Sequence, residues 1–468
     1  MKFLISILLL GIFASSHLSR EANATELADT VKTALLKNPR ARIAYARIAK
    51  AHAVLSATRS SYYPDITFRG SQGVGQFEKS TTGNELEQDV RNLSLKATIP
   101  LFDPAVEHEE RRDKQKVFSR IFASSKFLDE LILDAVEAHA DVFLNIELGL
   151  ILAEELKYSE SLLQKVEEKT EAGAGTKSDV SLVKSKINRL KAQISENQSN
   201  QLVSAARYEQ VVGISPALIR FPEVPKTFLP TSVGEALARA GVNAPSIADK
   251  AFAFESDRAA IAVSKSAYLP SLDIELSVDS DHDDDGTKGL NVTYKALLVA
   301  SWKLFGGFER HANILEKRAE AEESAADYDL ELLEAKDRVK AFFAQIKQGI
   351  AQKEIALRNL ENTEETLFSY EEEFEVGKKE LPDLLDAASN KFTAERTYKF
   401  KEIDVAKLSF NLINNVGDLA AAFDTEYYKL PHDDINKTYK AFLGLDIFGN
   451  KDITREQSEL DFNKYKAE

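Results

Sequence analysis

Cysteine is absent from the 468-residue chain. That excludes disulfides, zinc thiolates and thiol nucleophiles. An exported protein of this composition draws its stability from packing and assembly. An excess of positive charge is also missing. The formal net charge is −15, which argues against nucleic acid as a partner. Beyond residue 24 no segment strings together 18 apolar residues. A membrane span in that part of the chain would have to be a β-barrel, the other way to satisfy backbone polar groups in lipid. Catalytic signatures are lacking too. The seven histidines are scattered, and there is no H-E-x-x-H, G-x-S-x-G or P-loop. Gly73-Val74-Gly75 lacks the further glycine and helix start of a nucleotide loop. No enzyme, cofactor or metal is expected, and a hydrolase of surface polymers has no catalytic cluster to stand on.

Proline is missing where it matters most. None occurs between Pro104 and Pro216, or between Pro270 and Pro382. The stretches from about Asp103 to Ala172 and from about Phe308 to Val376 are rich in helix formers. Each spans roughly 100 Å as a helix, far beyond a typical globular helix, which implies a coiled coil or helical conduit. In the second, Ile346, Ile350, Leu357, Leu360, Leu367 and Phe374 form a seam that calls for a neighbouring helix.

What is present begins with a lysine and an apolar run, Phe3 to Phe13, then Ala22-Asn23-Ala24. This reads as a secretory signal cleaved after Ala24; a short buried helix or an uncleaved anchor is the alternative. The remainder reads as a tandem repeat. Asn38-Pro39 is echoed by Ala244-Pro245, Tyr63-Pro64 by Leu269-Pro270, Leu101-Phe102 by Leu304-Phe305, Gly173 and Asp179 by Gly377 and Asp383, and Val212-Gly213 by Val416-Gly417, all at an offset of about 205 residues. We read residues 1–24 as the signal, 25–213 as a first repeat of helix, β-hairpin, long helix and helix, and 231–417 as a second. Residues 214–230, with four prolines, form an extended linker, and 418–468 are a C-terminal periplasmic tail.

The long helices stop at Ala172-Gly173-Ala174-Gly175-Thr176 and Val376-Gly377-Lys378-Lys379, because glycine ends helices in the left-handed conformation. Ser178-Asp179 and Pro382-Asp383 then read as helix starts. Between the short and long helices, apolar Leu93, Leu95, Ala97 and Ile99 alternate with Ser94, Lys96 and Thr98, and Leu272, Ile274, Leu276 and Val278 with Asp273, Glu275, Ser277 and Asp279. Such strands suit a barrel with lipid outside and water inside; an ordinary half-buried sheet is the alternative. Leu297 and Val299 fall on the expected lumen face, and Gly70, Gly73 and Gly75 weaken the strand after Pro64. Tyr62, Tyr63, Phe102, Tyr268, Trp302 and Phe305 mark one end as an interfacial girdle. Four strands cannot close, and eight leave an interior filled by side chains, so a pore needs at least three chains and twelve strands. Asp281-His282-Asp283-Asp284-Asp285-Gly286 imitates a calcium loop, but its twelfth position is Val292; it reads as an acidic hairpin tip.

Taken with Pro100-Leu101-Phe102, Trp302-Lys303-Leu304-Phe305-Gly306-Gly307 and the paired Gly-to-Asp turns, the duplicated order over about residues 25 to 417 resembles the TolC-like outer-membrane factor family. The resemblance implies a mainly α-helical fold with a membrane β-barrel. Long antiparallel hairpins would form a periplasmic tunnel, and four strands per chain would complete a 12-stranded barrel in a homotrimer set in outer-membrane lipid. It implies a passive exit duct for efflux or type I secretion, docked through a periplasmic adaptor to an inner-membrane ABC or proton-driven transporter. Asp383 and Asp386 match the family's constriction rings; on residue type alone they are helix-start carboxylates favoured by the helix dipole. Phe374 and Lys379 with Ser178 and Asp179 match positions that lock the closed state. Phe374 lacks the hydroxyl of the tyrosine more often found there, and Lys379 offers a point charge in place of an arginine fork. The tips, Ala172, Gly173, Ala174, Val376, Gly377 and Lys378, lie farthest from the membrane and are expected to meet the adaptor. A soluble periplasmic coiled-coil scaffold without a pore is the competing reading; it would not need alternating strands with aromatic ends.

Overall fold

The computed structural model describes residues 25–78, 85–282 and 289–425. The expected secretory signal, residues 283–286 of the acidic hairpin tip and the tail from residue 426 lie outside the described residues.

Four helices and two strands run α1 (Leu27–Lys37), α2 (Pro39–Ser60), β1 (Asp65–Glu78), β2 (Glu85–Phe102), α3 (Pro104–Glu171) and α4 (Lys177–Val212). The order recurs as α5 (Val233–Asn243), α6 (Pro245–Ser266), β3 (Ser271–His282), β4 (Leu290–Ser301), α7 (Glu309–Glu375) and α8 (Leu381–Asn415), before a final turn of helix, α9 (Leu419–Ala422). The single leading helix expected of each repeat is two. Pro39 and Pro245 each open a new helix at its first position, where the missing N–H costs nothing. At the first break Asn38 caps α2 by accepting from the Arg40 N–H at 2.9 Å, and donates its amide to the Val211 carbonyl at 2.7 Å.

The linker is not wholly extended. Proline forbids α-helix but not a 3₁₀ turn, which runs Lys226–Phe228 behind Pro225; Ile219 pairs in parallel with Thr25.

The strands make one antiparallel sheet in chain order, β1-β2-β3-β4. The glycines do not interrupt β1, which pairs with β2 along its whole length. Pro100, which can donate nothing, sits where β2 shifts register against β3. Alternation sorts the sheet into two faces. Ile66, Phe68, Leu93, Leu95, Leu276, Val278, Tyr294 and Leu298 share one face, and all are exposed. The other is polar: Lys96 pairs with Glu275 at 2.9 Å, and Ser94 donates to Asp279 at 2.6 Å. Leu297 and Val299 sit opposite Glu275 and Asp273, on that polar face as expected. β4 ends at Ser301, so Trp302, Leu304 and Phe305 belong to the connector into α7, where Trp302 donates to the Tyr268 carbonyl at 3.0 Å. No described helix is long and apolar enough to cross a membrane.

The helices form a rod of paired hairpins. α3 packs on α4, α6 and α8, and α7 on α6 and α8. The main core lies midway along α3, against α1 and the ends of α4 and α8 farthest from the turns, where Val31, Leu131, Ile132, Tyr208, Phe410 and Ile413 are buried together. A second core, of Leu162, Val166, Val183, Ile187, Leu367, Leu381 and Leu384, lies near the turns. The apolar seam expected in α7 is only half realised. Leu367 is buried, but Ile350 and Leu357 are exposed, and the buried positions beside them are Gly349 and Ala356. The reason is steric. A Cβ on Gly349 would stand 3.1 Å from Val405, so α8 approaches along the small residues rather than the large ones.

Candidate gate at the hairpin tips

Both hairpins turn by the same device. Gly173 and Gly377 have φ of +77° and +72°. In each turn the residue after the glycine closes the helix end, as expected of a left-handed cap. The Ala174 N–H donates to the Lys169 carbonyl and the Lys378 N–H to the Glu373 carbonyl, both at 2.8 Å. A Cβ on either glycine would meet nothing within 4 Å. Backbone conformation, not space, demands glycine here. Ala172, Gly173, Ala174, Val376, Gly377 and Lys378 are all exposed.

The helices that leave the turns start differently. Thr176 and Asp179 form a capping box. Asp179 accepts from the Thr176 N–H at 3.0 Å. It also accepts from the Thr176 hydroxyl at 2.8 Å. α8 has no side-chain cap; Pro382 lies in its first turn with Asp383. Leu381, Leu384 and Leu385 are buried in the second core, and this seating turns Asp383 and Asp386 outward, where both are exposed. Asp386 borders a cavity of about 170 Å³ between α4 and α8, which Lys186 and Arg189 also line.

The expected lock residues do not meet one another within the chain. Ser178 is exposed, and Asp179 is spent on its capping box. Phe374 instead receives Lys169, whose Nζ lies 4.0 Å from the ring centroid and donates to the Phe374 carbonyl at 3.4 Å. A cation over an aromatic face is attracted by the ring quadrupole. Lys379 lies 4.1 Å over the ring of Tyr370, one turn before Phe374. Hydrogen bonding to Tyr370 holds its ammonium above the usual lysine range, and Asp383 and Glu373 add to this.

Around these sits a clasp that the sequence reading missed. Lys165 of α3 pairs with Glu375 of α7 at 2.7 Å, which holds that carboxyl below its ordinary range. Burial, then the neighbouring Glu371, pushes the Tyr158 phenol far up. The readable signal was the placement of cations. Lys165 and Lys169 stand among Glu167, Glu168 and Glu171 before the first glycine turn, whereas Glu371, Glu372, Glu373 and Glu375 precede the second with no cation among them. Farther from the tip, Glu155 of α3, 1% exposed, holds both Arg396 of α8 at 2.6 Å and Lys186 of α4 at 2.8 Å. Among the described residues no group of acids and histidines is arranged to hold a metal ion.

Residues 236–400 match the family model described as outer membrane efflux protein. The outer membrane efflux protein BepC of Brucella suis biovar 1 (strain 1330) is 20% identical over 372 residues, which is 78% of this chain and 80% of that protein. The CmeC outer membrane channel of Campylobacter jejuni superposes with a TM-score of 0.73 at 16% identity, covering 88% of this chain and 89% of its own. The resemblance to the TolC-like outer-membrane factor family holds in sequence and in fold. The outer-membrane channel OprN gives a TM-score of 0.73 at 18% identity, with 84% of this chain and 89% of that one covered. The chain thus shares the fold of these channels, mainly α-helical with four antiparallel strands in one sheet, as its sequence implied. The matched family and its structural neighbours are channels, not enzymes.

Proposed function

We propose that three copies of this chain form a gated duct of the outer membrane, with the helices in the periplasm, through which efflux substrates or secreted proteins leave the cell. The observation that carries this reading is the sheet. Four strands expose an apolar face on one side, a charged face on the other, and two open edges, β1 and β4. A protein in water does not leave such a face and edges bare. Lipid on the apolar face and closure with two further copies into twelve strands satisfies both. The two long helices, α3 and α7, continue from that sheet for roughly 100 Å each.

In this reading residues 25–213 and 231–417 are two repeats of one unit, the linker 214–230 joins them, and the residues from 418 on are periplasmic. The duct hydrolyses nothing and conducts passively. Energy comes from an inner-membrane ABC or proton-driven transporter reached through a periplasmic adaptor, which meets the Gly173 and Gly377 tips. Asp383 and Asp386 ring the constriction, and the contacts of Phe374 and Lys379 hold it closed. Fractionation tests the reading. The duct stays with outer membranes and runs as a heat-resistant trimer in detergent, whereas a soluble scaffold is released by osmotic shock.

A further inference from the structure

The charges on the flanks of the hairpins are sorted by helix. In α4, residues 180–195 hold Lys184, Lys186, Arg189 and Lys191 and no acid. In α7, residues 359–375 hold seven glutamates and no cation. The helices run in opposite directions at the tip, since α4 begins there and α7 ends there. Lys191 and Glu361 therefore stand at one height, about 21 Å from the tip.

The contacts within the chain leave these charges on its outer edges. Near the tip α4 and α7 each lie against α3 and α8, so they stand at opposite corners of the four-helix bundle. On α4, Val183, Ile187 and Leu190 are buried, and Leu182, Lys186 and Arg189 turn toward α8. That leaves Lys177, Lys184 and Lys191, spaced by heptads, on the opposite edge. Lys184 and Lys191 reach Glu167 and Glu160 of α3 only as surface pairs, at 2.8 and 4.0 Å. On α7, Ala356 and Leu367 are buried, and Glu371 and Glu375 serve Tyr158 and Lys165 of α3. Glu361, Glu365 and Glu372 are exposed and have no ion pair within the described residues. Farther up, exposed apolar residues match in height as the charges do. Leu202 on α4 is 73% exposed and Ile350 on α7 is 45% exposed. Both stand about 38 Å from the tip.

We infer that the basic edge of α4, Lys177, Lys184 and Lys191, docks on the acidic edge of α7, Glu361, Glu365 and Glu372, of a second copy of this chain. The inference rests on the trimeric duct proposed above and names the faces that meet. Each of the three seams is electrostatic over about 21 Å from the tip, where the proposed gate must part, and apolar above it. Such a seam is weakened by salt at the gate and much less in the upper tunnel.

Because the chain has no cysteine, Lys191→Cys with Glu361→Cys gives a clean cross-linking pair. The mass of the detergent-purified variant is measured first, and a short bismaleimide is then added. Covalent dimers and trimers are expected. A sample that is trimeric by mass but links only within one chain, not at all, or only to a periplasmic adaptor overturns the seam and leaves the duct standing. A monomeric sample overturns both. Charge reversal provides the second reading. Glu361→Lys, Glu365→Lys and Glu372→Lys together should lower by several degrees the temperature at which trimers dissociate in SDS. Adding Lys177→Glu, Lys184→Glu and Lys191→Glu should restore it. Absence of loss, or loss without rescue, overturns the proposal.

Discussion

The carboxylate of Glu155 and the guanidinium of Arg396 meet at 2.6 Å, and through them the first hairpin holds the second. Glu155 is buried in α3, with Lys186 of α4 on its other oxygen. Two further α8-to-α3 pairs, Lys399 with Glu147 at 3.2 Å and Lys407 with Asp141, continue the link toward the main core. Removing one member of a buried pair costs more than removing both, because the partner stays charged and dry. Lys186 still pairs with Glu155 in Arg396→Met, so that variant should destabilise the chain by no more than about 3 kcal/mol. Glu155→Met, which leaves Arg396 and Lys186 both without their carboxylate, should cost more. Thermal unfolding of both variants checks the order; equal losses would mean the pair is solvated.

His139 should make the main core acid-sensitive. Its Nε2 donates to the Arg220 carbonyl at 2.8 Å, so Nδ1 accepts from the Thr30 hydroxyl at 2.9 Å, which in turn receives the Tyr208 hydroxyl at 3.0 Å. Burial lowers the His139 pKa. The neutral ring is thus the folded form. Its contribution is complete above the unfolded value of about 6.5 and is lost as pH falls toward the folded one. The melting temperature should drop on acidification below about pH 6.5, and His139→Gln should flatten that drop. An unchanged slope would assign it to the carboxylates.

The tip glycines should be needed for export and not for assembly. Both have positive φ, +77° and +72°. A β-branched residue held in that left-handed region is strained by about 1–2 kcal/mol. No neighbour is struck. Gly173→Val and Gly377→Val should keep trimers and abolish export. Export at the parent rate would place the adaptor contact elsewhere, and loss of trimers would reduce the glycines to helix caps.

The clasp should be individually weak and jointly decisive. Lys165 and Glu375 are half exposed, so their pair contributes less than about 1 kcal/mol. The contact of Lys169 with the Phe374 ring adds about 0.5–1 kcal/mol. Lys165→Ala with Lys169→Ala should raise the open population of trimers in planar bilayers roughly tenfold. Unaltered conductance would show that these contacts do not restrain the gate.

The sequence made the long helices, the turns and the strand alternation readable, because each is written in neighbouring residues: no proline for about 110 positions, a glycine where φ must be positive, polarity with period two. The breaks at Asn38 and Ala244 were equally local, and the prolines after them mark them. The partners of Phe374 and Lys379 were not readable. Lys169 comes from the other hairpin, more than 200 residues away, and Tyr370 becomes a neighbour only once the glycine turn folds Lys379 back. The exposed seam of α7 failed for a related reason: which side of a helix is covered depends on how close a neighbour can come, and Gly349 and Ala356 decide that.

The gate itself gives the most direct test of the account. In the proposed duct, three copies bring six carboxylates, from Asp383 and Asp386, to one narrow mouth, and such a ring selects cations and binds multivalent ones. Purified trimers in planar bilayers should conduct weakly, prefer cations, and be blocked by trivalent or divalent metal added on the periplasmic side. Asp383→Ala with Asp386→Ala should remove the block and shift selectivity toward anions while trimers persist. A double variant that conducts, selects and blocks like the parent would contradict the account and reduce the two aspartates to helix-start carboxylates.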